Sequence, residues 1–418
     1  MSTPRNRLAA ADPAALSRDF DLARAPADFV DDPYPTYAAL RERDPVHVMP
    51  GGGVLLTRYD DVISVYRDAS ASSDKKVEFK PKLGDSPLYE HHTTSLVFND
   101  PPLHTRVRRL IMGALNQKAI ARMEIDVVRL VDTLLERMAA AREVNFIDAF
   151  AAEIPIEVIG NLLNVPRSDR GPLRGWSVAI LSGLEPTLTP EMLERGNRAV
   201  SEFLDYLKTL VAERRRRPGD YDTDVLTRLI QGEQDGERLS EKELYHQCIF
   251  LLNAGHETTT NLIGNGMWLL LTHPDELARL RADPVLVPSA IEEMLRYEGP
   301  IQLNNRRLTA PIELGGKTLA EGTSITIAIG GANRDPAQFP HPDRFDIARK
   351  PNRHVAFGQG DHACSGMNVA RMEGRVAFGR LLARFPKIEL VGEPVRDRRI
   401  RFRGFRTLPV RMGSDPCG

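Results

Sequence analysis

Cysteine is scarce in this chain, with three among 418 residues: Cys248, Cys364 and Cys417. Three thiols make no disulfide framework, so a reduced compartment is the expectation. They also fall short of the four thiolates of an ordinary iron–sulfur cluster. Long hydrophobic runs are missing as well. The opening residues are polar, include Pro4 and Pro13, and contain no apolar segment, which predicts neither a signal peptide nor an N-terminal anchor. The most apolar later stretch, Trp268 to Leu271, is too short to span a bilayer. An excess of one charge is also absent. The 56 basic and 57 acidic residues leave a net charge of -1, so no general field for nucleic acid or a membrane surface is expected. These absences together predict a soluble cytoplasmic protein. Repeats and low-complexity linkers are absent, and the length alone sets a soft prior of two or three domains.

What is present fits a globular chain, with 42% hydrophobic and 27% charged residues. The pattern predicts a mainly α protein with a small β-rich lobe. Val46-His47-Val48 and Val54-Leu55-Leu56 read as two strands around the Pro50–Gly53 turn. Lys75 to Thr94 lacks a clear period and reads as a long loop. Pro101 to about Arg217 is mostly helical in spacing, as in Val127, Leu130, Val131, Leu134, Leu135 and Met138. The run Arg214 to Arg217 reads as the basic end of a helix stopped by Pro218-Gly219, rather than as a nucleic-acid patch. Ser240-Glu241-Lys242-Glu243 is a capping box opening a helix to about Thr272, roughly 45–50 Å long at 1.5 Å per residue. Gly255, Gly264 and Gly266 inside it cost about 1 kcal/mol each against Ala, so each asks for a reason. Two shorter helices follow, Pro274 to Ala282 and Ser289 to Tyr297, then a β region over Ile312–Leu314 and Ser324–Ile329. Ile400 to Met412 reads as a final strand pair.

The most informative stretch is Phe357-Gly358-Gln359-Gly360-Asp361-His362-Ala363-Cys364-Ser365-Gly366. Glycines before a cysteine let backbone approach closely. Met367 to Phe378 is helical in pattern, which puts Cys364 just before a helix N-terminus, a place that favours a thiolate. On these residues alone a buried structural thiol, a cysteine nucleophile with His362, and a metal ligand all stay open. A zinc site lacks a second cysteine within ligand spacing.

The segment resembles the haem-binding signature of the cytochromes P450, Phe-Gly-x-Gly-x-His-x-Cys-x-Gly, at every fixed position. Further stretches resemble family motifs in the family's order. Ala254-Gly255-His256-Glu257-Thr258-Thr259 is similar to the oxygen-activation motif, and Glu293-Met294-Leu295-Arg296 to the Glu-x-x-Arg motif. Asn333–Pro336 and Pro342-Asp343-Arg344-Phe345 are similar to the segments leading to the cysteine loop. Asp100 to Arg108 resembles the start of the family's C helix, in a form found in bacterial members. The resemblance runs from about Asp32 to Met412. It implies the cytochrome P450 fold, with a polar N-terminal segment over 1–31, one haem domain over 32–412 and a tail over 413–418.

The resemblance further implies a monooxygenase that hydroxylates or O-dealkylates a small to medium organic substrate with dioxygen. The cofactor is haem b, with Cys364 as the iron ligand. Phe357, Gly358 and Gly366 shape its loop. His104, Arg108, Arg306 and His362 meet the propionates, with Arg307 the competing neighbour of Arg306. Ala254 and Gly255 leave room for dioxygen, and Glu257 and Thr258 are the acid–alcohol pair that delivers protons. Asn253, Leu303 and Phe405 are expected to contact substrate, as is the stretch from Phe79 to Tyr89. For Asn253 the competing expectation is a bond to a neighbouring helix. Glu293 and Arg296 are expected to brace the cysteine loop, with Arg344 as their partner. Ser365 stands where the family usually has an apolar residue. Its hydroxyl either donates toward the sulfur and raises the reduction potential, or bonds locally or to solvent.

No flavin or nicotinamide fingerprint occurs, so electrons are expected from NAD(P)H through a separate ferredoxin or flavodoxin and its reductase. Arg108, Arg109, Arg353 and Arg371 are the expected docking cations, and a monomer is the expected state. A peroxide-driven haem enzyme and a haem-based sensor are the alternatives. Glu257 and Thr258 argue against both.

Overall fold

The structure is a computed structural model that describes residues 12–221, 224–234 and 237–413. Residues 1–11 of the polar N-terminal segment, and residues 414–418 of the tail with Cys417, lie outside the described residues. Helix accounts for 58% of the described residues, with several small sheets. The chain divides into two units, each assembled from segments distant in sequence. One unit takes the residues up to Ser73, Asn265–Cys364 and Val395–Arg406; the other takes Asp74–Gly264, Ser365–Pro394 and the residues from Thr407 on.

The first unit is built on a five-stranded sheet in the order Val46–Val48, Val54–Leu56, Ser324–Ala328, Leu303–Leu308, Ala71–Ser72. The first two strands form the expected hairpin, with Val46 opposite Leu56. Its turn carries Gly52 at φ 97 and Gly53 at φ 79, conformations that disfavour a side chain. Ser324–Ala328 runs parallel to Val54–Leu56 and antiparallel to Leu303–Leu308. Alternation along these short strands buries Val46, Leu56, Ile325 and Ile327 in one cluster with Val62, Leu308 and Phe339. Leu55, Leu303 and Ala328 join a second cluster with Phe20, Phe29, Tyr37 and Leu40. Leu303–Leu308 was not anticipated as a strand, because its run of Asn and Arg hides the alternation.

The helix Val287–Tyr297 carries Glu293 and Arg296 three residues apart, both fully buried. Arg296 forks onto Glu293 with two 2.8 Å bonds and donates to the carbonyls of Asn333, Pro342 and Arg344. Arg349, 3.2 Å away, is the second cation on Glu293, and Asn352 and the amide of Asp346 complete it. The expected partner, Arg344, therefore contributes only its carbonyl. Buried charges are tolerable here because every lone pair of the carboxylate meets a donor. The braced segment leads into the cysteine loop through Val355, whose amide donates to Asn333 Oδ1 at 2.8 Å.

The second unit is helical, with a three-stranded sheet of Lys387–Leu390, Pro409–Gly413 and Glu143–Asn145. The two strands of the C-terminal region do not pair with each other as expected. Phe405–Thr407 pairs with Val395–Arg396, and Pro409–Gly413 with Lys387–Leu390 and Glu143–Asn145. Lys75 to Thr94 is not a loop either. It holds two helices, Lys76–Leu83 and Pro87–Thr94, the second capped by Ser86 on the amide of Tyr89. Each is only eight residues and their apolar residues are few, which is why no period was legible. Arg214, Arg215 and Arg216 do end a helix, Pro190–Arg216. Arg215 pairs with Glu241 in solvent, while Arg214 makes a largely buried pair with Asp224.

The capping box at Ser240 forms as expected: the Ser240 amide donates to Glu243 and the Glu243 amide to Ser240 Oγ. It opens the central helix, Glu241–Thr272, 32 residues long. Among the described residues no helix is long and apolar enough to cross a membrane.

Candidate active site

The cysteine loop belongs to the first unit. Backbone bonds fold it back on itself: Gly358 N to Val355 O at 2.9 Å, Ala363 N to Gly360 O at 3.0 Å, and Cys364 N to Phe357 O at 2.8 Å. Two residues sit at positive φ, Gly358 at 66 and Gly360 at 70. A Cβ on Gly360 would also lie 2.7 Å from the carbonyl oxygen of Tyr66, so this position excludes a side chain twice over. Cys364 is half-buried at the end of the loop. His362 is half-buried in the turn Gly360–His362, and Phe357 packs its ring 5.9 Å from that of His354. Gly366, two residues after Cys364, is the N-cap of the helix Met367–Arg384 in the second unit.

Of the two candidate arginines, Arg306 is the buried one and Arg307 is half-exposed. The Arg306 guanidinium lies over the Tyr66 ring, 5.4 Å from its centroid, and donates to the Asn305 carbonyl at 2.9 Å. Leu303 is 1% exposed within the cluster of Phe29 and Tyr37. Phe405 packs against Trp268 and under the Arg396 guanidinium. The surroundings of both residues are core-like.

The second unit holds the remaining candidates. His104 and Arg108, four residues apart, lie on the helix Leu103–Ala114; His104 is buried and Arg108 half-buried. Arg108 Nη1 donates to Ser365 Oγ at 2.8 Å. On the central helix, Ala254 is exposed and Gly255 and Thr258 are half-exposed, while their neighbours Asn253, His256, Glu257 and Thr259 are buried. At this level of the helix the accessible positions are therefore two small residues and one hydroxyl. Gly255 has a packing reason of its own. A Cβ there would meet Ile159 Cδ1 at 2.4 Å, and Ile159 belongs to the helix Glu153–Leu162. Thr258 Oγ1 donates to the Ala254 carbonyl at 2.7 Å, the local back-bond of a helical threonine, and its oxygen remains an acceptor. Glu257 is 4% exposed.

Asn253 is committed to a neighbouring helix. Its Nδ2 lies 3.2 Å from His91 Nε2 on the helix Pro87–Thr94. His91 packs on the rings of His92 and His246, at 5.1 and 5.6 Å. Burial and these two neighbours push His91 well below the ordinary histidine range, and burial takes His246 down to about 4. Both rings are therefore neutral at pH 7. Burial also takes His256, on the central helix, down to about 3. The Asn253 carbonyl oxygen is buried without a hydrogen-bond partner among the described residues.

Sequence reasoning missed two residues here, His91 and Glu373, and the partner of a third. Ser365 was noted without its partner Arg108. His91 was hidden in a stretch read as loop. Glu373, fully buried on the helix Met367–Arg384, is held by Thr259, and burial pushes its carboxyl up to about 8. A carboxylate at an apolar-face position three residues from Val376 was the signal for it.

The donor chemistry suits a thiolate-ligated haem. Within the first unit Cys364 offers one soft anionic ligand and Arg306 a buried cation; within the second, Arg108 is a further cation and the helix carries little bulk at Ala254 and Gly255. Among the described residues no three His, Cys, Asp or Glu side chains gather to hold a metal ion on their own.

The family model for cytochrome P450 matches residues 179–409. Cytochrome P450 107B1 of Saccharopolyspora erythraea is 39% identical over 412 residues, covering 94% of this chain and 98% of the relative. The 6-deoxyerythronolide B hydroxylase of the same organism is 38% identical, covering 91% and 96%. Among solved structures, P450BioI in complex with an acyl carrier protein superposes with a TM-score of 0.87 at 32% identity, covering 92% and 100%. With a family match over more than half of its length and relatives aligned almost end to end, the chain belongs to the cytochrome P450 family of oxidoreductases.

Proposed function

We propose that the chain is a haem-thiolate monooxygenase acting on a small to medium organic molecule with a hydrogen-bonding group. The balance is one dioxygen, two electrons and two protons consumed, with one oxygen inserted into a C–H bond and the other leaving as water. When bound, haem supplies one-electron chemistry and dioxygen activation. The observation that carries the reading is the cysteine loop, where Gly358 and Gly360 take up positive φ and Cys364 N closes onto Phe357 O at 2.8 Å. Such a loop presents a single thiolate on a rigid support, as a metal ligand requires.

In this reading Cys364 holds the iron, and His104, Arg108, Arg306 and His362 meet the propionates. Phe357 shields the sulfur. Thr258 releases its bond to the Ala254 carbonyl and takes up water, and its hydroxyl hands protons toward the oxygen that leaves as water. Glu257 resupplies them. Asn253 offers its unpartnered carbonyl oxygen to a donor on the substrate, while its amide stays on His91. Leu303 and Phe405 add apolar contacts to the substrate. Residues 32–412 act as one haem domain, and the protein works as a cytoplasmic monomer. Electrons come from NAD(P)H through a ferredoxin or flavodoxin and its reductase, which dock on exposed arginines such as Arg109 and Arg353.

Reduction under carbon monoxide tests the ligand. A red-shifted thiolate-type Soret band is the expected result, and its absence refutes the assignment. Substrate-dependent consumption of NAD(P)H with stoichiometric hydroxylated product, without added peroxide, separates the monooxygenase from the peroxide-driven and sensor alternatives.

A further inference from the structure

Ser365 follows Cys364 directly, at a position where the family resemblance leads to an apolar residue. In the structure its Oγ accepts a hydrogen bond from Arg108 Nη1 at 2.8 Å. Both side chains are half-buried. The hydroxyl is thus bonded across to a neighbouring helix rather than closed on its own backbone.

The bond is charge-assisted, and such bonds are shorter and stronger than neutral ones. A hydroxyl whose oxygen accepts from a cation is polarised and becomes a better donor through its own proton. That proton is still available, because a serine hydroxyl donates once and accepts twice. Arg108 keeps four further N–H groups for other acceptors. The residue joined to Ser365 is the proposed iron ligand. Hydrogen bonds and cationic charge beside a ligating sulfur withdraw electron density and raise the potential of the metal. An apolar side chain after the cysteine supplies neither.

We propose that Ser365 and Arg108 form a positioning pair that reduces electron donation by Cys364 and raises the potential at which the haem accepts one electron from the redox partner. The inference rests on Cys364 being the iron ligand. Arg108 then has two tasks, one toward a propionate and one toward Ser365.

The test is a spectroelectrochemical titration of the holoenzyme. Ser365→Ala lowers the one-electron reduction equilibrium about tenfold, a shift of roughly 59 mV to more negative potential. Ser365→Thr, which keeps the hydroxyl, stays at the wild-type potential. In an Arg108→Gln background the same serine replacement shifts the potential by less than half as much. An unchanged potential in Ser365→Ala overturns the proposal, as does a full shift that survives in Arg108→Gln. The ferrous–CO band reads the ligand separately. Its retention in Ser365→Ala leaves the potential to judge the pair. Its loss in that variant alone overturns tuning in favour of a role in holding the ligand. Its absence in the wild type overturns ligand and pair together.

Discussion

Replacing Glu373 by glutamine isolates the cost of one buried proton. Glu373 is 2% exposed on the helix Met367–Arg384, where burial raises its carboxyl from an ordinary 4.5 to about 8, with Thr259 opposing the shift. Its Oε1 has no hydrogen-bond partner among the described residues. The folded protein therefore keeps the proton at pH 7 while the unfolded chain releases it. For a carboxyl raised in the folded state, stability is fullest below the unfolded value and is lost as pH rises toward the folded one. Holding the proton costs about 1 kcal/mol at pH 5 and about 3 kcal/mol at pH 7, so some 2 to 3 kcal/mol is lost across that interval. Glutamine has nearly the same shape and does not titrate. Glu373→Gln should become more stable relative to wild type by that amount between pH 5 and pH 7. Urea unfolding followed by circular dichroism at pH 5, 6 and 7 measures it. Other titrating groups are common to both proteins and cancel in the difference. Parallel pH profiles for the two proteins would refute a neutral Glu373.

The buried histidines act in the opposite sense. Their folded values lie below 6.5, so the unfolded chain binds protons first and stability falls as pH drops. His246, at about 4, accounts for about 3 kcal/mol of loss between pH 6.5 and pH 4. His246→Phe should flatten the acid limb of the stability curve. Asn253→Leu strands His91 Nε2 and should cost about 1–3 kcal/mol, and adding His91→Phe should recover part of it. Equal and additive losses by urea titration would show that the pair is not coupled. Gly360→Ala meets the Tyr66 carbonyl at a φ of 70 and should strain the loop by about 1–3 kcal/mol, with haem occupancy falling in the absorbance spectrum. Gly379→Ala meets nothing within 4 Å inside the helix Met367–Arg384 and should instead stabilise by about 0.5–1 kcal/mol.

Legibility followed the range of each interaction. The central helix was readable to its ends because Ser240 and Glu243 cap it locally and Pro274 follows it. Pro274–Ala282 was readable for the same reason. The helices Lys76–Leu83 and Pro87–Thr94 were not, because eight residues give barely two turns and their buried side chains, Phe79 and His92, answer to tertiary neighbours such as Phe98. The strand Leu303–Leu308 escaped because pairing with Ser324–Ala328, not its own composition, makes it a strand.

By itself the sequence determined the family resemblance, the candidate thiolate Cys364 and the order of the motifs, since these rest on residue identity at short spacing. The scarcity of cysteine also set the expectation of a separate electron donor. Only the tertiary structure decided which partner each polar group takes. Arg349 rather than Arg344 joins Glu293, His91 takes the Asn253 amide, and Arg108 takes Ser365. Those partners lie 56, 162 and 257 residues apart in the chain. A hydrogen bond is worth something only within about 3.2 Å, and no periodicity in a sequence carries a distance of that kind.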